Sequence, residues 1–171
     1  MSEHTGVVTF KGGPLTLVGE QVSVGQLAPD FTVIDNDLSA KSLGDYKGKV
    51  LVITAVPSLD TPVCDTQTRR FNDEAGRLGA DVAVLTISMD LPMAQKRWCG
   101  AAGVRNVECL SDYKDHRFGH AYGVRIKEVG LLARTVMVLD QDDTIKYIEL
   151  VPEVAEEPNY NAALEAVKSV S

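Results

Sequence analysis

The sequence predicts an α/β fold with a mixed central sheet flanked by helices. Three observations carry that reading. Two continuous apolar runs stand at Val50–Ala55 (VLVITA) and Val82–Ser88 (VAVLTIS), amphipathic stretches with helical spacing follow them, and a late strand pair brackets an acidic turn. A continuous apolar run of this length suits a strand covered on both faces, as at the parallel centre of a sheet. Strands alternating with helices, then a hairpin and a last helix, place parallel and antiparallel pairing in one sheet.

The elements follow in order. Val7–Phe10 and Leu15–Val18 flank Lys11-Gly12-Gly13-Pro14, which predicts an N-terminal β-hairpin over residues 7–18 with a four-residue loop. Phe31, Val33 and Asp35 alternate in a short strand after Ala28-Pro29, where proline holds its predecessor extended. Phe71, Ala75 and Leu78 mark one face of a helix after Val50–Ala55. Pro92–Cys99 reads as a short helix with Gly100 as its stop. Val107–Leu110 reads as a short strand and Asp115–Tyr122 as a helix. Thr135–Leu139 and Ile145–Val151 form a hairpin, in which Asp142-Asp143 suits a turn better than an acidic catalytic pair. Tyr160–Val170 closes the chain, with Ala163, Val167 and Val170 on one stripe. A thioredoxin-like core fits this order.

Composition narrows the function classes. A chain of 171 residues suits one domain, 1–171, with its own core. Its 44% apolar and 24% charged residues are an ordinary soluble balance. No run approaches the roughly 20 apolar residues of a membrane helix, so no membrane partner is expected. Met1–Val8 lacks a basic start followed by an apolar run, so no secretory signal is expected. The formal charge of -7 repels phosphate backbones, and nucleic acid is not expected as a partner. Arg69-Arg70 and Lys96-Arg97 are short basic pairs that read as solvated helix faces. The three cysteines, Cys64, Cys99 and Cys109, are too few for a disulfide scaffold. The expected setting is a reducing cytoplasm, where a disulfide is more often catalytic than structural.

The most informative segment is Pro57-Ser58-Leu59-Asp60-Thr61-Pro62-Val63-Cys64, which begins where the first apolar strand ends. Thr61 before Pro62 signals a helix start, threonine at the N-cap and proline at the first helical position. Cys64 then falls in the first turn, where backbone N–H groups lack partners and the helix dipole favours an anion. Helix N-termini bring a cysteine from ~8.5 to roughly 3.5–7.5, and the thiolate is the nucleophile. The alternative is a small buried apolar residue, a common use of cysteine. No C-x-x-C is present, since Asp65-Thr66-Gln67 follows Cys64, so a second thiol has to come from a distance.

Pro57-x-x-x-Thr61-x-x-Cys64 matches the active-site pattern of the peroxiredoxins. The chain further resembles their thiol peroxidase subfamily, which works as an atypical two-cysteine peroxiredoxin. The resemblance runs through the hairpin, Asp90-Leu91-Pro92-Met93-Ala94-Gln95 to Cys99-Gly100, Ala121-Tyr122-Gly123-Val124, Ala133-Arg134 and Glu157-Pro158-Asn159-Tyr160. It implies a thioredoxin-like fold and a peroxidatic role for Cys64. It implies that Thr61 positions the peroxide, that Pro57 shields the sulfur from water, and that Arg134 supports the thiolate. Residue chemistry alone leaves Arg69, Arg125 and Arg134 all open for that last role. The resemblance also implies hydrogen peroxide and organic hydroperoxides as substrates, thioredoxin as reductant, a homodimer, and no metal or organic cofactor.

Cys99 precedes Gly100-Ala101-Ala102-Gly103, a segment easy to deform, which suits a thiol that has to travel. On residue chemistry alone a structural thiol beside Trp98 is an equal reading; the resemblance makes Cys99 the resolving cysteine, paired with Cys64 in a disulfide. Cys109 reads as core filler. His116 and His120 share a helix face, but the H-E-x-x-H pattern is absent and ordinary histidines are expected. Two rival functions remain open. One is a cysteine hydrolase with His116 or His120 as base; the other is a non-catalytic redox-sensing or binding module on the same core.

Overall fold

The computed structural model describes all residues, Met1–Ser171. A seven-stranded mixed sheet is its centre. The strands are β1 (Glu3–Phe10), β2 (Gly13–Val18), β3 (Thr32–Ile34), β4 (Ala40–Ser42), β5 (Val50–Ala55), β6 (Val82–Ser88), β7 (Glu108–Ser111), β8 (Arg125–Ile126), β9 (Thr135–Leu139) and β10 (Ile145–Leu150). The helices are α1 (Pro62–Leu78), α2 (Pro92–Ala102), α3 (Arg117–Ala121) and α4 (Tyr160–Val170). The central order is β10-β9-β5-β6-β7-β3-β4, and β1-β2-β8 form a separate small sheet. β5 pairs in parallel with β6, and β6 with β7, while β9 runs antiparallel to β5.

The two continuous apolar runs are the central strands, and their side chains divide between two cores. Leu51, Ile53 and Ala55 join a 23-residue cluster on one face, which also holds the hairpin's Val8 and Leu17 and the ring of Phe118 from α3. Val50 and Val52 point into a second cluster with Phe71 of α1 and Ala163 and Val167 of α4. Alternation along a strand sends neighbours to opposite faces, so a strand with cores on both sides reads as uninterrupted apolar sequence.

Several boundaries differ from the sequence expectation, β7 by one residue at each end and β3 by being confined to Thr32–Ile34. The first hairpin closes through a two-residue turn rather than four, because Lys11 (φ 50) and Gly12 (φ 81) both adopt left-handed backbone and Phe10 pairs directly with Gly13. That twist matches the strands it joins. β1 begins at Glu3, four residues early, because an irregularity between Thr5 and Val8, around Gly6 at φ 82, breaks the alternation that marks a strand. β10 ends one residue short, at Leu150. α2 runs through Gly100 to Ala102 and stops at Gly103, whose left-handed backbone supplies the cap. α3 is shorter than Asp115–Tyr122: His116 has φ 55, and the Asp112 carboxylate accepts the backbone N–H groups of Phe118 and Gly119. The pieces β4, the 3₁₀ turn Leu43–Tyr46 and β8 carry no periodic signal and are defined by the partners they meet. The Asp140–Thr144 turn is as expected, with Asp140 Oδ1 accepting from the backbone of Asp142 and Thr144.

The hairpin is pinned to α3 at Gly19. Its φ is +115, and a Cβ there would sit 2.2 Å from the His120 carbonyl oxygen. Gly19→Ala is expected to cost about 2–4 kcal/mol through strain and a displaced α3. In urea unfolding the midpoint should fall with the slope unchanged.

Candidate active site

α1 starts as its first residues dictate. Thr61 is extended (φ -93, ψ 146), and its Oγ1 accepts the Cys64 N–H at 3.3 Å, with Pro62 opening the helix. The Thr61 hydroxyl proton goes to the Ser58 carbonyl at 3.1 Å. The loop before the helix is held by Asp90, just beyond β6. Its carboxylate accepts Ser58 Oγ at 2.7 Å, Leu59 N at 2.8 Å and Ser88 Oγ at 2.8 Å. Those bonds fasten the Pro57–Thr61 segment to the end of the neighbouring parallel strand, so its shape follows from the sheet.

Cys64 is fully buried at 0% exposure, and its sulfur meets Arg134. The guanidinium, 1% exposed, stands between Ala133 and β9 and spends its three nitrogens on three separate acceptors. Nη2 donates to Cys64 Sγ at 3.3 Å, Nη1 to Gln67 Oε1 at 2.7 Å, and Nε to the Val154 carbonyl at 3.0 Å. Only a rigid planar fork offers donors in these fixed directions. Gln67 lies one turn beyond Cys64 on α1 and is fully buried. Sequence reading missed it; its position three residues after Cys64 on the same helix face was the available signal. Its Nε2 has no hydrogen-bond partner although buried. The other arginines are elsewhere: Arg69 pairs with Asp65 on the exposed side of α1, and Arg125 faces the His116 imidazole. The sulfur's partner is thus a guanidinium rather than an imidazole.

A cavity of about 370 Å³ opens over this group, lined by Pro57, Thr61 and Arg134 together with apolar side chains such as Phe10, Leu15 and Ile126. The hairpin's Phe10 and Leu15 therefore form one wall of the pocket on which Arg134, the partner of Cys64, opens.

Cys99 lies in the last turns of α2, half-buried, with its sulfur 3.0 Å from that of Cys109. Cys109, on β7, is 2% exposed, as a core residue would be, but that contact was not legible in the sequence. Cys64 and Cys109 belong to one small apolar cluster with Val56 and Leu59, against which Trp98 and Cys99 pack. All three cysteines are free thiols. α2 is clasped to α1 at Asp65, the residue after Cys64. Asp65 Oδ1 accepts the Trp98 indole N–H at 3.0 Å, Oδ2 accepts Arg69 Nε at 2.9 Å, and Arg69 Nη1 donates to the Ala102 carbonyl at 3.3 Å. His116 and His120 stand with ring centroids 6.0 Å apart, beside Arg125, a cation that opposes a metal ion there.

A thioredoxin-like sheet presenting one buried first-turn cysteine against a buried arginine defines a thiol-redox protein of the peroxiredoxin kind. Residues 23–164 match the Redoxin family model. The chain is 59% identical over 163 residues to the thiol peroxidase of Bacillus subtilis (strain 168), covering 95% of this chain and 97% of that one. It is 54% identical to the thiol peroxidase of Staphylococcus aureus (strain MRSA252), covering 95% and 98%. Among solved structures, a peroxiredoxin-like protein from Aquifex aeolicus superposes with a TM-score of 0.91 at 43% identity, over 98% of this chain and 99% of that one. The chain belongs to the Redoxin family and, within it, to the thiol peroxidases.

Arg134→Met removes the sulfur's cationic partner and strands two buried acceptors. Alkylation of Cys64 by a thiolate-directed reagent is expected to slow about 100-fold at neutral pH. Arg134→Lys should recover little, because an ammonium cannot span three separated acceptors. Wild-type labelling rates in either variant would show that the guanidinium does not serve the sulfur.

Proposed function

We propose that this chain is a thiol-dependent peroxidase that reduces hydrogen peroxide and organic hydroperoxides through Cys64. One observation carries the reading: the Cys64 sulfur sits in the first turn of α1, 3.3 Å from a buried guanidinium that itself lines an apolar pocket. A helix N-terminus and an arginine both stabilise negative charge on sulfur, and the thiolate is the form that attacks peroxide.

In this reading the Cys64 thiolate attacks the terminal peroxide oxygen. A sulfur–oxygen bond forms, the O–O bond breaks, and water or an alcohol leaves after taking up a proton. Cys64 becomes a sulfenic acid. Arg134 supplies donors to the oxygen on which charge develops. Thr61 Oγ1 has given its proton to Ser58 and one lone pair to the Cys64 N–H, so it meets the peroxide as an acceptor through its remaining lone pair. Pro57, buried beside the pocket, keeps water from the sulfur. The pocket's volume exceeds what hydrogen peroxide needs, and its apolar wall suits a hydroperoxide with a hydrocarbon body.

Cys99 then attacks the Cys64 sulfenic acid, expelling water and closing a Cys64–Cys99 disulfide. A dithiol protein of the thioredoxin type restores both thiols by exchange. Cys99 has to leave Cys109 for this, which means loosening the end of α2. Gly100, inside the helix with no neighbour within 4 Å of a Cβ position, weakens that turn. The cycle needs no metal or organic cofactor, because sulfur carries both electrons. The reducing cytoplasm is the setting that would keep it running; no helix of the chain is long and apolar enough to cross a membrane. The homodimer implied by the family resemblance belongs to the same proposal, and the exposed Leu91 and Met93 at the start of α2 offer apolar surface for it.

Peroxide consumption coupled to thioredoxin tests the scheme. Cys64→Ser should abolish it, and residual activity near wild type removes the proposal. Cys99→Ser should stop thioredoxin-coupled turnover and leave Cys64 as a sulfenic acid that a dimedone-type trap captures. Gly100→Ala stiffens α2 by about 1 kcal/mol. It should slow disulfide closure about fivefold in rapid-quench experiments while sulfenic acid formation keeps its wild-type rate.

A further inference from the structure

The proposed cycle leaves Cys109 without a task, yet its sulfur lies 3.0 Å from Cys99 across the packing of α2 on β7. Two thiols in contact share one hydrogen bond, one as donor and the other as acceptor. Their surroundings decide the roles. Cys109 is 2% exposed and follows Glu108 on β7. Cys99 is half-buried and opens on a cavity of about 560 Å³ that Asn36 also lines. A negative charge is unfavourable on the first and tolerable on the second.

We propose that Cys109 is a positioning residue for the resolving thiol: its buried S–H donates to the Cys99 sulfur, favouring the thiolate there and keeping α2 docked until Cys64 is oxidised. This rests on Cys99 being the thiol that resolves Cys64. The Cys99 contact, burial and the carboxylates of Asp90 and Glu108 push the Cys109 thiol up, so it keeps its proton. The Cys109 hydrogen bond brings Cys99 down against the opposing effect of burial, and Asn36 adds to it. Asp35 and Asp37 from the β3–β4 turn, Tyr46, Lys49 before β5 and Arg105 after α2 complete the polar surroundings. Asp37 pairs with Lys96, and the Tyr46 hydroxyl donates to Glu108. None of these groups changes when Cys109 is replaced.

The chemical consequence lies in the resolving step. The Cys99 thiolate forms a bond to the Cys64 sulfur, the sulfenic S–O bond breaks, and hydroxide leaves and is protonated to water. Cys109 remains a thiol throughout and gives up only its hydrogen bond.

Iodoacetamide labelling of Cys99 in the reduced full-length chain, followed across pH by peptide mass mapping, tests this. Wild-type Cys99 should label with a midpoint below that of an unperturbed thiol. In Cys109→Ala the midpoint should move up, and labelling at neutral pH should slow about fivefold. Cys109→Ser keeps a donor and should stay near wild type. Coincident pH profiles for wild type and Cys109→Ala overturn the proposal, as does an equal displacement in the alanine and serine variants. A Cys99–Cys109 disulfide as the main product of one equivalent of peroxide in the wild type also overturns it, since Cys109 would then be a redox partner. The same peptide maps report the underlying reading separately. A Cys64–Cys99 disulfide in all three proteins leaves that reading intact even where the labelling profiles refute the role of Cys109. Its absence from the wild type removes the resolving thiol, and the role of Cys109 with it.

Discussion

The buried guanidinium of Arg134 is the constraint around which the site is organised. A cation at 1% exposure is costly to bury unless every donor is used and a negative partner is available. Two of its bonds go to a neutral amide and a main-chain carbonyl, which hold it in place but leave its charge uncompensated. The third goes to sulfur, the one facing group that can supply a full negative charge. The sulfur and the arginine are therefore fixed against each other by the packing of α1 on the sheet. Gln67 belongs to this arrangement, because it ties the guanidinium to the helix that carries the sulfur.

The sheet makes the rest of that geometry reproducible. α1 begins directly after a central parallel strand, so the first-turn cysteine emerges at the carboxyl edge of the sheet, where open α/β sheets place their ligand sites. Asp90 performs the corresponding task from the adjacent strand, gathering Ser58, Leu59 and Ser88 with one carboxylate. The N-terminal hairpin, outside the central sheet, contributes the apolar wall of Phe10 and Leu15. The cysteine and arginine thus come from the core, and part of the pocket wall from an added ribbon.

The two remaining thiols meet where α2 packs on β7. α2 is anchored in its middle by the buried Gln95 amide, which donates to Ser88 Oγ and the Leu110 carbonyl, and nearer its C-terminus by the Trp98–Asp65 bond, the Arg69 contact with Ala102 and the Cys99–Cys109 contact. It contains a mid-helix glycine and ends on another. A helix clasped by a few polar contacts, with weak intrinsic propensity at its end, is able to release one turn without disturbing the sheet. Such release is what a resolving cysteine requires, since disulfide geometry tolerates little separation between the two backbones.

Much of this was legible in the chain itself. The central strands, the two flanking them late in the sequence, α4 and the start of α1 with Thr61 as cap all follow from local rules of alternation, helical spacing and capping. Cys64 as a first-turn cysteine needed nothing beyond Thr61-Pro62. The misplaced ends have a common cause. Gly100 looks like a stop and is not, because Gly103 is the residue whose backbone turns left-handed; Lys11 gives no sign of the left-handed turn it adopts; β4 and β8 exist only because a partner strand lies alongside.

What the sequence by itself determined is where a first-turn cysteine is placed, because a helix start is encoded within a few neighbouring residues. Only the tertiary structure decided which arginine reaches that thiol, that Gln67 joins it, and that Cys99 rests on Cys109. These contacts link residues far apart in the chain, and no local pattern records a distance that is set by how the sheet and its helices pack.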